Sequence, residues 1–329
     1  MTPPTVSTSV LSAIGNTPLV ELRRVTPAGA GRVLLKLECY NPTGSYKDRM
    51  ALAVIEGAER RGTLRPGMRV IEYTGGSTGC ALAMVCSLKG YRFTPVSSDA
   101  FGREKLESMR AMGADVILVP SDGGRITNDL FDRMKAALAR EASKPGVFWA
   151  DQFNNDDVIA GYMPMANELR RGAGPGITAF CGAIGSGGML VGVSRGLRAA
   201  GCRARTIGLE PAESPVISTG RGGAHRVEGV GVGFRPPHLL DSDFDEIRTI
   251  DEASARNMTR RLAREEGILA GTSTGLNVTA AIQLAVELGP DATVVTVACD
   301  SGLKYLAGDL YSGQPSAASA SQETRAPDL

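Results

Sequence analysis

The string Asn41-Pro42-Thr43-Gly44-Ser45-Tyr46-Lys47-Asp48-Arg49 places a lysine where a turn hands over to a helix-like run, from about Lys47 to Arg61. At a helix N-terminus the positive end of the helix dipole disfavours the charged ammonium. Only the neutral amine attacks an aldehyde, so the position suits a Schiff-base lysine. A solvated surface lysine is the plain alternative. The GxxxxGK[ST] spacing of a Walker A loop is absent.

Three further strings fall between a strand-like run and a helix-like one. Thr74-Gly75-Gly76-Ser77-Thr78-Gly79 offers main-chain N–H groups and three hydroxyls, which suit a carboxylate; a tight turn with a Ser/Thr cap reads equally well. Gly182-Ala183-Ile184-Gly185-Ser186-Gly187-Gly188-Met189 opens a helix and can cradle a phosphate on its amides. A dinucleotide loop is its rival, but the spacing is not GxGxxG, and the strand that follows ends at Glu210 without a clean ribose-binding pattern. Ala298-Cys299-Asp300-Ser301-Gly302 sets a hydroxyl and a carboxylate just past the last strand, where either can meet a ring nitrogen or cap the next helix.

The elements that must position these loops alternate. Strand candidates are Val33–Cys39, Arg69–Tyr73, Arg92–Ser97, Asp115–Val119, Val147–Trp149, Ile177–Cys181, Arg205–Glu210 and Thr293–Cys299. Between and after them lie helix candidates Thr78–Lys89, Arg103–Met112, Asn128–Glu141, Met189–Ala200, Asp251–Glu266 and Gly275–Leu288. Short apolar runs alternating with amphipathic segments predict βαβ units and a parallel sheet covered by helices. In such sheets ligands bind at the carboxyl ends of the strands, where these loops fall. The rhythm breaks around Asp151–Arg171 and resumes after it, which predicts two α/β lobes with a boundary near residue 150. The Ser- and Ala-rich end of the chain, 311–329, reads as a disordered tail.

Bulk properties exclude several classes. The 329 residues exceed the usual size of one hydrophobic core. With 36 basic against 35 acidic residues, the charge balance gives no reason to expect nucleic acid or an anionic membrane as partner. No apolar run approaches the ~18 residues of a membrane span, and the first residues lack the pattern of a secretory signal. Six cysteines lie far apart without CxxC pairs or metal-type spacing, as expected of reduced thiols in a cytoplasmic protein. No metal site is expected.

In this order and spacing the strings resemble the cysteine synthase (O-acetylserine sulfhydrylase) and cystathionine β-synthase family of fold type II pyridoxal-phosphate enzymes. NPTGSYKDR looks like the family's Asn-Pro-x-x-Ser-x-Lys-Asp-Arg signature. HRVEGVGVGF at 225–234 and EGILAGTSTG at 266–275 support it, and the likeness runs from Ile14 to about Leu306. The resemblance implies a two-domain α/β architecture, each domain a mostly parallel sheet flanked by helices. A larger cofactor-binding domain would comprise 1–41 and 151–310, and a smaller mobile one 42–150. It also implies pyridoxal 5′-phosphate as cofactor and a homodimer.

By position, the resemblance makes Lys47 the residue of the internal aldimine and the base for the substrate Cα proton. Gly185, Ser186, Gly187, Gly188 and Met189 match the phosphate loop. Thr74, Gly75, Ser77 and Thr78, with Gln152, match the grip on the substrate carboxylate, Ser77 also lying where the family contacts the cofactor. Ser301 matches the serine at the pyridine nitrogen. A serine cannot keep that nitrogen protonated as a carboxylate would, which favours loss of a β-leaving group over transamination. The neighbouring Asp300 is expected to point away.

The implied reaction is β-replacement on O-acetyl-L-serine or a similarly activated serine through an aminoacrylate. Sulfide would give cysteine; other nucleophiles would give S-sulfocysteine, cyanoalanine, diaminopropionate or cystathionine. A β-eliminating serine/threonine dehydratase and a non-catalytic, cofactor-binding regulatory paralogue are the alternatives. Three departures from the family bear on substrate choice: Ser77 in place of the usual Asn, Gly75 in place of a second serine, and Met189 in place of a threonine. Segment 154–168 departs as well. Arg221 could pair with a phosphorylated leaving group or simply be a solvated loop arginine.

Overall fold

The structure is a computed structural model, which describes residues 6–124, 127–174 and 176–312. The expected tail therefore lies almost wholly outside the described residues.

Two sheets carry the chain. The larger runs β1 (Leu19–Glu21), β2 (Arg32–Lys36), β10 (Thr293–Val297), β7 (Ala179–Ala183), β8 (Arg205–Pro211) and β9 (Glu246–Ile250) in spatial order. Only β1 is antiparallel, to β2; the other pairings are parallel. The smaller, wholly parallel sheet is β5 (Ile117–Val119), β4 (Arg92–Ser98), β3 (Arg69–Tyr73) and β6 (Val147–Trp149). The fold is thus α/β with two mostly parallel sheets flanked by helices.

Each parallel crossover needs a helix, and each helix buries an apolar stripe. Helices α1 (Lys47–Arg60), α2 (Ser77–Lys89), α5 (Asp157–Ala173) and α6 (Gly188–Ala199) share one core with both sheets. That core joins Leu34 and Val295 of the larger sheet, Met50 and Val54 of α1, Val158 and Tyr162 of α5, and Val70 and Phe93 of the smaller sheet. Helices α8 (Glu252–Arg261) and α9 (Thr272–Leu288) cover the other face of the larger sheet. Helix α4 (Asn128–Ala142) packs on the smaller sheet through Leu130 and Met134. Helix α3 (Arg103–Ala111) packs beside α2, and α7 (Val216–Thr219) is a single turn after β8.

The break in rhythm expected over Asp151–Arg171 is corrected: most of it is α5. Pro164 and Gly161 obscure the helical pattern there. Gly161 is small because α1 crosses close by, and a Cβ on it would lie 2.7 Å from the Arg49 carbonyl. The short edge strands β1 and β9 also lacked a sequence signal. The single turn α7 was not anticipated either, and the remaining strands and helices fall within a few residues of expectation.

Candidate active site

The loops singled out in the sequence lie at the carboxyl ends of β2, β3, β7 and β10, and main-chain bonds knit two of them together. Tyr46 N–H donates to the Cys299 carbonyl at 3.0 Å, and Ser301 N–H to the Gly44 carbonyl at 2.9 Å. The Lys47 turn and the Ser301 segment therefore form one floor.

Lys47 is the first residue of α1 and is partly buried. Its Nζ is 3.4 Å from Tyr46 Oη and 4.5 Å from the centre of that ring. Desolvation brings the Lys47 amine down to about 8, although Cys299 and Asp300 pull the other way. A substantial neutral fraction near physiological pH is what a carbonyl-capturing amine requires.

A buried ionic network sets the start of α1. Arg49 donates to Glu38 through Nε and Nη2, both at 2.7 Å, and to Glu168 of α5 through Nη1 and Nη2, both at 2.8 Å. Lys36 of β2 pairs with Glu168 at 2.6 Å. Glu38 also accepts from Thr17 Oγ1 at 2.6 Å and Asn41 Nδ2 at 2.8 Å. Burial pushes the Glu168 carboxyl up, but hydrogen bonds from Arg49 and Lys36 outweigh it and hold the group at about 2. In the same turn Asp48 accepts from the amide and hydroxyl of Thr43. The Lys-Asp-Arg string thus supplies one amine to the site and two anchors to the fold.

Between β3 and α2 the amide of Gly76 donates to Thr74 Oγ1 at 3.2 Å, and Thr78 Oγ1 donates to Gln152 Oε1 at 2.8 Å. Gln152 is held by its own N–H on Glu72 Oε2 at 3.0 Å. Burial raises the Glu72 carboxyl to about 8. Ser77 Oγ accepts from Lys304 Nζ at 3.2 Å. The structure thus brings Thr74, Gly75, Ser77, Thr78 and Gln152 to one place. Beside them Tyr73, Phe153 and Phe234 form an aromatic row, with ring centres 6.0 and 5.3 Å apart.

The loop from β7 to α6 turns through Gly187 at φ +84°, a conformation that favours glycine. A Cβ on Gly185 would overlap the Gly229 carbonyl, and one on Gly188 would overlap Val158 of α5. No side chain caps α6, and among the described residues the amides of Gly185–Met189 have no acceptor. Met189 packs its Cε within 2.8 Å of where a Cβ on Gly182 would stand, so it offers the loop only its amide. Glu210 accepts from the amides of Ile217 and Ser218 at 2.7 and 3.0 Å and caps α7, which removes the ribose contact of the dinucleotide reading. Arg221 is exposed.

Ser301 Oγ accepts from Leu303 N–H at 3.3 Å, the capping role, which leaves its proton free to donate. Asp300 turns its Oδ2 onto Tyr305 Oη at 2.7 Å, and burial raises its carboxyl. Buried Asn277 was not anticipated. It accepts from Ala183 N–H and donates to the Val297 carbonyl, both at 2.8 Å, tying together the ends of β7 and β10. A lone Asn in an apolar helix, GLNVTAA, was its only trace in the sequence.

This donor set fits pyridoxal phosphate: a partly neutral lysine amine, a glycine cradle with unspent amides at a helix N-terminus for the phosphate, and a hydroxyl with a free proton for a ring nitrogen. No group of side chains suited to a metal ion occurs among the described residues.

Comparison with known proteins agrees. The model of the family described as pyridoxal-phosphate dependent enzyme matches residues 10–300, and the chain belongs to that family. Within it the chain is cysteine synthase-like. It is 40% identical over 314 residues to the cysteine synthase of Staphylococcus aureus (strain Mu50), covering 92% of this chain and 97% of that one. Among solved structures it is similar to cysteine synthase from Entamoeba histolytica, with TM-score 0.88 and 30% identity over 96% of this chain and 94% of the other. It is equally similar to O-ureido-L-serine synthase, with TM-score 0.86 and 35% identity over 96% and 99%.

Proposed function

We propose that this chain catalyses β-replacement on O-acetyl-L-serine or a similarly activated serine, joining a small nucleophile to Cβ as acetate leaves. The observation that carries the reading is the shared floor of the Lys47 turn and the Ser301 segment, with the Lys47 amine brought down to about 8 above it. Pyridoxal phosphate, when bound, supplies the electron sink for the Cα carbanion.

The residues divide the remaining work. Lys47 Nζ anchors the cofactor and then takes the proton from the substrate Cα. The amides of Gly185, Ser186, Gly187, Gly188 and Met189 hold the phosphate at the head of α6. Thr74, Gly75, Ser77 and Thr78 receive the substrate carboxylate with Gln152, whose position is set by Glu72. Ser77 also faces the cofactor, and Ser301 donates to its ring nitrogen. Residues 42–150 form the smaller, moving unit, against a larger one of 1–41 and 151–310. We read the protein as a cytoplasmic homodimer, in keeping with its six free thiols. No described helix is long and apolar enough to cross a membrane.

Sulfide is the first nucleophile to test. Gly75 and Ser77, together with the likeness to O-ureido-L-serine synthase, favour a second reading in which the nucleophile is not sulfide. A panel of sulfide, thiosulfate, cyanide, homocysteine and amines, each with O-acetylserine and O-phosphoserine, tests both readings with products identified by mass. A β-substituted alanine supports replacement. Pyruvate as the only product from every pair would sink it in favour of elimination.

A further inference from the structure

Gly75 is not a glycine for conformational reasons. It is absent from the positive-φ residues, so its φ does not demand glycine. What excludes one is a neighbour: the three atoms nearest a Cβ built there are ring carbons of Phe101, and they overlap it. The same wall continues along the loop. A Cβ on Gly76 would meet Lys105 Cδ at 3.2 Å, and one on Gly79 would overlap Met109 Sδ. Lys105 and Met109 lie one turn apart on α3, Phe101 sits in the turn just before that helix, and each of the three faces one glycine of the Thr74–Gly79 segment.

The ring is held in place. Phe101 N–H donates to the Ser98 carbonyl at 3.2 Å, and Ala100 N–H donates to Ser98 Oγ at 3.2 Å, which fixes the turn after β4. Phe101 packs against the cluster of Ile71, Val96 and Leu130, with its ring centre 6.5 Å from that of Phe131. Lys105, buried behind Gly76, pairs with Glu228.

We propose that Phe101 is a specificity-determining residue. Its ring occupies the space of a side chain at position 75, so the loop grips an amino-acid carboxylate without a hydroxyl there, using its amides, Thr74, Thr78 and Gln152. This rests on the proposed β-replacement. A serine at 75 is accommodated only when the ring is removed, so the two positions act as a steric pair.

The test is a double-mutant cycle with Gly75→Ser, Phe101→Ala and the double variant. The KM and kcat for O-acetyl-L-serine are read together with cofactor content and melting temperature. Residues in contact couple by amounts that span about 2- to 100-fold. Gly75→Ser is expected to raise KM at least about tenfold with cofactor still loaded, and the double variant to return within about threefold of the parent. If Gly75→Ser misfolds, recovery of melting temperature and KM in the double variant carries the same information. An unchanged KM in Gly75→Ser with Phe101 present, or a double variant no better than Gly75→Ser, overturns the assignment of Phe101. A parent protein that loads cofactor but gives no response to O-acetylserine sinks the proposed function instead.

Discussion

Replacing Glu38 by glutamine strikes the network that seats Lys47. The carboxylate is fully buried and takes four donors: Thr17 Oγ1, Asn41 Nδ2, and Arg49 Nε and Nη2. An amide of the same shape has one accepting oxygen. Its NH2 must then face two of those donors, and the two cations Lys36 and Arg49 are left with the single carboxylate of Glu168. Removing one partner of a buried ion set costs about 3–5 kcal/mol. Because Glu168 still holds Arg49 at two points, we take the lower end, ~3 kcal/mol. At ~2 cal/mol/K per residue the unfolding entropy of 329 residues is about 0.7 kcal/mol/K, so the melting temperature should fall by ~4–5 °C. Arg49 lies two residues from Lys47, so the first turn of α1 should loosen and cofactor retention on dialysis should fall with it. Calorimetry and cofactor absorbance read the two effects, with Glu21→Gln, a partner in exposed pairs with Arg23 and Arg32, as the control that should shift neither. A Glu38→Gln protein that melts within ~1 °C of the parent and keeps its cofactor would refute the view that this network positions Lys47.

Two further outcomes follow from the same geometry. The amine of Lys47 is depressed to about 8 from the ordinary 10.5, so its neutral form grows as pH rises through about 8. At pH 7.5 that is a neutral fraction of ~24% against ~0.1% for an ordinary lysine. The rate at which stripped protein takes up pyridoxal phosphate should rise with a midpoint near 8, and Asp300→Asn should move the midpoint lower because that carboxylate favours the ammonium; a rate still climbing at pH 10 would count against the assignment. Gly188→Ala drives a methyl into Val158 at the head of α6, where overpacking costs about 1–3 kcal/mol. The equilibrium constant for cofactor release should rise at least about tenfold by dialysis titration, and an unchanged constant would mean that the cradle does not bear the phosphate.

The site loops were legible because each is punctuation between a strand and a helix, and glycine with hydroxyl residues marks such junctions by composition. The two-sheet α/β pattern followed from the same alternation. Helix α5 was lost because Gly161 and Pro164 interrupt its pattern, and the glycine answers to the close crossing of α1 rather than to anything local. The four-charge network was hidden for another reason: Lys36 and Glu38 are close in sequence, but Arg49 and Glu168 lie in later helices, and Glu38, Arg49 and Glu168 each alone read as a solvated charge. Lys36 inside the apolar run VLLKLEC was the one trace of a buried charge needing a partner. The pairing of Phe101 with Gly75 had no trace at all, since it exists only where the turn after β4 folds over the loop after β3.

The central claim is that Lys47 is the residue that carries the cofactor. Borohydride reduction of the loaded protein, followed by digestion and mass mapping, tests it without reference to any substrate. The pyridoxyl group is expected on the peptide containing Lys47, and its loss together with the visible absorbance in Lys47→Ala. A stable adduct on Lys105, Lys304 or another lysine, with Lys47 unmodified, would contradict it.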